Sequence, residues 1–391
     1  LSKIKLSNSV LKPKKLQLPA HLLRRLLLLL PLYILFYSFI PESKSSSEYC
    51  INLRRSKAYE NQKWWNERTG LLWSLSLIGA TLPEGEFDKA ISFSQDSAVL
   101  TIDFSSLGFS SKTLLLLAQF SNDLKASEEY KKRNSIDIGR WLVYVIHTDN
   151  HYYQLVDAPA TFEEFKQLHP QTTGRYLIDK SSVSLGMREI KFYIDSNLTK
   201  QFFIAAEGIY DSQNQTFTPS EFETIDLLPN SQPRFAIYGR DGKLVSKGDT
   251  LLSKAGRIGK CMWCHESKIE PLFTNTKDFA GYATREEYEA IVKQANGYIY
   301  AERKKQKTDL KWFEVFEHTQ AELLYISFMQ RSVSAIAKEW NLPLAEVEQI
   351  FHSLPTQGYD EFPYLGAMHP RSRIDSLAPF KVLKMPASVR E

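Results

Sequence analysis

Cysteine is scarce in this sequence, three residues in 391. That is too few for a disulfide scaffold, and an odd count leaves one thiol over. Excess charge of one sign is also missing. The formal net charge is +4, much of it carried before residue 26, so the rest of the chain offers no electrostatic argument for a nucleic-acid partner. No Gly-rich phosphate loop, G-x-S-x-G elbow or H-E-x-x-H stretch occurs, and there is no second C-x-x-C. The usual marks of a nucleotide-binding enzyme, a serine hydrolase or a zinc protease are therefore absent. Wholesale disorder is excluded too, because 43% of the residues are hydrophobic and 24% charged, an ordinary globular balance.

One uncharged apolar run stands out. Residues 26–41 read LLLLLPLYILFYSFIP, and Lys3, Lys5, Lys12, Lys14, Lys15, Arg24 and Arg25 precede them. A basic segment followed by about fifteen apolar residues has the layout of an export signal whose positive end stays in the cytoplasm. The one-sided basic flank argues against a core helix. Ser43-Lys44-Ser45 is a poor cleavage site, which favours an uncleaved anchor in a bacterial envelope, the folded part outside the cytoplasm. The serine-rich stretch after it reads as a tether, and 56–68, with Trp64 and Trp65, as a short helix. Cys50, the odd thiol, follows Ser46-Ser47-Glu48-Tyr49, which lacks the small apolar lead-in of a lipidation site.

From 71 to 248 the pattern suggests strands. Runs rich in β-branched and aromatic residues at 98–104, 112–120, 141–147, 151–156, 189–194 and 201–205 are bounded by Gly, Ser, Asn or Asp. Near the end, Asp241-Gly242 is a hairpin turn signal. The expectation is a mostly antiparallel β domain, sandwich-like, with one helix at 160–168. His147 and His151, with Asp149 or Asp157, offer a weak metal site, because the intervening residues look like a turn and few ligands converge.

After residue 249 the period becomes helical. Thr284 and Glu287 form a capping-box pattern ahead of a helix to about residue 305, Thr319 and Glu322 open a second, and a third spans 344–353. The stretch 333–348 has helix-turn-helix spacing, but Glu346 and Glu348 stand where DNA contacts would need basic or amide groups, so a plain helical hairpin is expected.

The chemistry concentrates in Cys261-Met262-Trp263-Cys264-His265. Two thiols about one helical turn apart can form thioethers with the two vinyl groups of one haem, and the adjacent histidine can ligate its iron. At this chain's cysteine and histidine content the pattern would arise by chance in roughly one of two thousand such chains. The pentad resembles the haem-binding motif of the c-type cytochromes, and Pro271-Leu272 is similar to the Pro-Leu that often follows it there. The resemblance implies one covalent haem c, with Cys261 and Cys264 as attachment points and His265 as proximal ligand. It also implies a helical cytochrome c-like domain over 249–391. Met368, in the loop Gly366-Ala367-Met368-His369-Pro370, is the favoured sixth ligand; Met329, Met385, His318, His352 and His369 are other candidates. Two readings of the pentad stay open beside haem: a structural zinc site, which lacks a fourth ligand, and a redox dithiol, which lacks a βαβ context.

The sequence thus predicts an α+β chain in five parts: a basic segment 1–25, a membrane segment 26–41, a tether 42–70, a β domain 71–248 and a helical haem domain 249–391. Its expected role is electron transfer to an unidentified protein partner, or haem-based sensing, rather than hydrolysis.

Overall fold

The computed structural model describes residues 46–59, 61–254, 256–271, 273, 277–311 and 317–382. Tyr49–Glu391 forms one compact unit. The expected membrane segment 26–41 lies outside the described residues, among which no helix is long and apolar enough to cross a membrane.

The chain enters through β1 (Cys50–Arg54) and then α1 (Trp64–Ser76), a core helix with Leu71, Leu72 and Leu75 buried. A short α2 (Glu86–Lys89) leads to β2 (Ile91–Phe93) and β3 (Val99–Asp103). Five helices follow, interrupted by the two-residue β4 (Ile136–Asp137): α3 (Ser111–Lys125), α4 (Glu128–Arg133), α5 (Ile138–Val145), α6 (Asp149–Leu155) and α7 (Phe162–Leu168). Strands β1 to β4 form a small sheet in the order β2-β3-β1-β4, with the β1–β4 pair parallel.

This region corrects the expected sandwich. The runs 112–120, 141–147 and 151–156 lie on α3, α5 and α6 instead of on strands. A short apolar run buried on most sides has no periodicity that separates helix from strand. For the first two runs the N-caps decide it. The Ser110 side chain accepts from the Thr113 amide, and Asp137 accepts from the amides of Gly139 and Arg140, satisfying donors that a helix start leaves open.

The second sheet is a five-stranded antiparallel meander, β5 (Gly174–Ile178), β6 (Met187–Tyr193), β7 (Phe202–Asp211), β8 (Thr216–Leu227) and β9 (Pro233–Tyr238), in sequential order. Both of its faces are covered. On β7, Phe202 and Ile204 join the main core while Phe203 joins a second one, which explains a continuous Phe-Phe-Ile-Ala-Ala run where a half-exposed strand would alternate. The expected hairpin is present after β9: Gly242 adopts φ +73°, and Tyr238 bridges Leu244.

Then come α8 (Ile258–His265), α9 (Arg285–Arg303), α10 (Glu317–Met329), the two-residue β10 (Gln330–Arg331), α11 (Val333–Trp340), α12 (Leu344–Phe351), the two-residue β11 (His369–Pro370) and α13 (Arg371–Leu377). The Thr284–Glu287 capping box is formed in full at the start of α9. Helix α10 belongs to the centre of the molecule, packed on α1 and α5. It approaches them through glycine: a Cβ on Gly70 would lie 2.5 Å from the Gln320 carbonyl oxygen, and one on Gly139 2.6 Å from the Phe328 Cβ. These contacts join residues early and late in the chain into one core, so the expected division into a β domain and a separate helical cytochrome c-like domain is not the observed architecture. The physical reason is that α9 buries its apolar face against the meander, whose own second face needs cover, while α8 packs Met262 and Trp263 into the main core.

Candidate functional site

The pentad forms the C-terminal five residues of α8. Met262 is buried in the main core, and Trp263 packs edge-on to Tyr325 of α10 with ring centroids 5.1 Å apart. The two residues between the cysteines therefore anchor the helix. At its start, Arg257 approaches the Asp149 carboxylate at 3.6 Å. Burial pushes the Asp149 pKa up to about 6, with Arg257 and the Ile258 amide opposing the rise.

With that side fixed, Cys261, Cys264 and His265 line a cavity holding about 800 Å³ of empty space, its mouth included. Its floor is the meander, through Ile190 of β6, Phe203 and Ala205 of β7 and Phe235 of β9; its far side is Ile269, Phe273 and Tyr288. The cavity thus sits at the seam of the two apolar cores.

His265 lies against Phe235, ring centroids 5.7 Å apart. Burial, helped by the Arg188 charge, pushes its pKa down to about 4, so the imidazole is neutral at ordinary pH, the form that ligates a metal. The Cys261 thiol is pushed well above its usual value by burial and by the nearby Glu223 carboxylate, and the Cys264 thiol is raised by burial against the opposing effect of Lys260. Raised thiols are the reverse of what a thioredoxin-type nucleophile requires. A zinc site is no better supported, since among the described residues no three His, Cys, Asp or Glu side chains converge on a point that could hold a metal ion.

Chain reversal after the pentad is unusual. Glu266 has φ +52° and ψ −115°, a conformation costly for a residue with a side chain. It ends α8 and turns the backbone so that the Glu270 amide donates to His265 Nδ1 at 3.2 Å. That bond assigns the remaining ring proton to Nε2. A metal bound at Nε2 would need this long, weak bond released. Two thiols and a neutral imidazole are the donor set that a covalently held haem would use.

Of the expected ligands, Cys261, Cys264 and His265 are brought together and Met368 is not. Met368 is buried in the main core, its backbone paired with Gln357, and it does not line the cavity. The reason is local: the loop carrying it is held by the short β10–β11 pairing and by the Gln357–Met368 bridge. Met329 is core as well. His369 is buried against Phe351, with Nδ1 3.2 Å from the Pro355 carbonyl. His352 is exposed, and Met385 lies outside the described residues. His318 comes beside the pentad helix, its Nδ1 3.5 Å from Glu266, without lining the cavity. His147 and His151 do not form a metal site: His147 packs on Trp263 and Tyr325 behind the pentad, and His151 stacks on Phe120 at 4.0 Å.

Sequence reasoning missed the other side of the cavity. Arg188 and Glu223 line it, and Arg188 is paired with Glu207 and, at 3.2 Å, with Glu223. The register of β7 against β8 shifts at Glu207/Gly208, and Glu207 is almost fully buried there. Arg188, Glu207 and Glu223 share their strands with other charged residues, Glu189 and Lys191 on β6, Asp211 on β7 and Glu221 and Asp226 on β8, so nothing in the sequence singled them out.

No family model, curated protein or solved structure matches this chain.

Proposed function

We infer that this chain binds one haem covalently through thioethers at Cys261 and Cys264, with His265 as iron ligand, on the extracytoplasmic side of the membrane. The observation that carries the reading is that these three side chains, and no other Cys or His among the described residues, line one mainly apolar cavity. When bound, the haem supplies an iron that exchanges electrons or takes up a small ligand. The protein's part is to exclude water with Phe203, Phe235 and Phe273, to keep the imidazole uncharged, and to hold the thiols one helical turn apart on a helix fixed by Met262 and Trp263. Among the described lining residues there is no methionine and no second histidine. That favours sensing of a small ligand at an open iron position over electron transfer through a closed one. The basic and then apolar start of the chain supports export, which covalent haem attachment in bacteria requires.

The test is expression with a cytochrome c maturation system. The expected product is coloured, gains the mass of one haem and keeps it through denaturing electrophoresis, whereas Cys264→Ala loses stable attachment but retains its fold. A matured sample that is colourless and has only its polypeptide mass would overturn the reading.

A further inference from the structure

The segment that follows the pentad closes one side of its cavity. Ile269 lines the wall, and Asn296 of α9 clasps its backbone: the Ile269 amide donates to Asn296 Oδ1 at 2.9 Å, and Asn296 Nδ2 donates to the Ile269 carbonyl at 2.8 Å. The Ile269 side chain is buried with Tyr288, Val292 and Ala295 of the same helix. One residue further on, the Glu270 amide holds His265 Nδ1. The strap 266–270 is therefore fixed to α9 and to the imidazole at once.

Its entry is strained. The Lys268 amide donates to the His265 carbonyl at 3.0 Å, closing a four-residue turn. Glu266, at φ +52° and ψ −115°, has the dihedrals of the first central residue of a type II′ turn, a position that suits glycine and burdens any residue with a Cβ. The turn brings the Glu266 carboxylate 3.5 Å from His318.

We propose that the strap 266–270 is a strained latch on the pentad site: Asn296 holds it shut over His265, and the backbone strain at Glu266 favours its release when the imidazole takes a ligand at Nε2. In the shut state Nδ1 is an acceptor and Nε2 carries the ring proton. Ligation at Nε2 moves that proton to Nδ1 with no change in ring charge, and the N–H groups of His265 and Glu270 then face each other, so the strap has to move. That use of the latch rests on the reading of His265 as an iron ligand, whereas the latch itself is testable without haem.

Diethyl pyrocarbonate acylates the unprotonated nitrogen of an imidazole, which in His265 is the one the strap covers. Its reaction with His265 in the haem-free chain, followed by peptide mass spectrometry, tests the latch. Asn296→Ala removes two hydrogen bonds from the shut state and is expected to speed modification about tenfold. Glu266→Gly relieves the turn and is expected to slow it about fivefold. That variant also gives up the His318 contact, so a slowing has to come from the backbone. Both residues are partly exposed, so both variants keep the fold. Equal rates in the three proteins, or faster modification in Glu266→Gly, would overturn the proposal. So would haem-bearing protein whose 266–270 amides exchange with deuterium as slowly as those of the haem-free chain. If maturation attaches no haem while both rate changes appear, the haem reading fails and the latch stands.

Discussion

The pentad cavity and the cluster around Glu339 both take ionisable groups out of water, with opposite results. In the cavity, His265 and Cys261 have no opposite charge in direct contact, so burial drives both toward their neutral forms. In the cluster, burial alone would raise the Glu339 pKa, but Arg371 at 2.8 Å, Arg331 at 3.1 Å and Arg140 at 4.0 Å outweigh it and hold the carboxylate well below its usual range. Arg371 is itself fully buried, its guanidinium 3.9 Å from the Phe328 ring centre. The difference separates two uses of burial. Neutral, unpaired groups are left with lone pairs and thiols to offer a ligand, whereas paired charges are committed to joining α11 and α13 to the core.

That contrast can be broken most directly at Glu339. Glu339→Ala leaves Arg331 and Arg371 buried without their main partner and is expected to lower unfolding stability by about 3–5 kcal/mol, measured by denaturant titration. A loss under about 1 kcal/mol would mean that the cluster is solvated and the contrast false.

Lowering the pH should separate the regions next. His147 is buried, burial pushes its pKa down to about 3, and its Nδ1 has no partner among the described residues. The folded state therefore refuses a proton that the unfolded chain accepts. The stability contributed by a neutral His147 is complete above about pH 6.5 and is lost as the pH falls from there toward 3. His147→Leu should flatten the stability–pH curve in that window by about 1.4 kcal/mol per pH unit. Glu339 behaves differently over the same range. Its native pKa is depressed from the lower carboxylate value, so its contribution is complete well above that value and is lost progressively as the pH falls from there toward the native one. A curve equally steep in His147→Leu would show that burial does not keep that imidazole neutral.

The smallest expected effect concerns the thiols. With both pKa values raised, alkylation of haem-free protein at pH 8 should run several-fold slower than that of free cysteine, with exposed Cys264 ahead of Cys261. Faster modification than free cysteine would favour a redox dithiol and weaken the haem reading.

How far the sequence was legible depended on how local each signal was. Thr284 and Glu287 announced the start of α9 because a capping box is complete within four residues. Asp241-Gly242 marked its turn for the same reason. The strands at 189–194 and 201–205 were recognised despite being buried on both faces, because β-branched and aromatic residues crowd them. The same criterion failed on 112–120 and 141–147, where the decisive residues were the caps Ser110 and Asp137, outside the apolar runs, and on 151–156, whose helix has no side-chain N-cap to announce it. Met368 failed for another reason. An axial ligand is defined by a position in space, and nothing local tells a methionine aimed at a cavity from one that fills a core.

By itself the sequence determined the pentad and its geometry, since C-x-x-C-H on a helix puts both sulfurs on one side whatever surrounds it. Only the tertiary structure decided what that side faces. The α8 helix turns its thiols toward the meander because Met262 and Trp263 are the larger apolar groups and claim the core, which leaves Cys261, Cys264 and His265 at the seam where sheet and helix do not close. The protonation states were decided there too, because a pKa follows from desolvation and neighbouring charge, and Arg188 and Glu223 reach the site from strands that lie far from it in the chain.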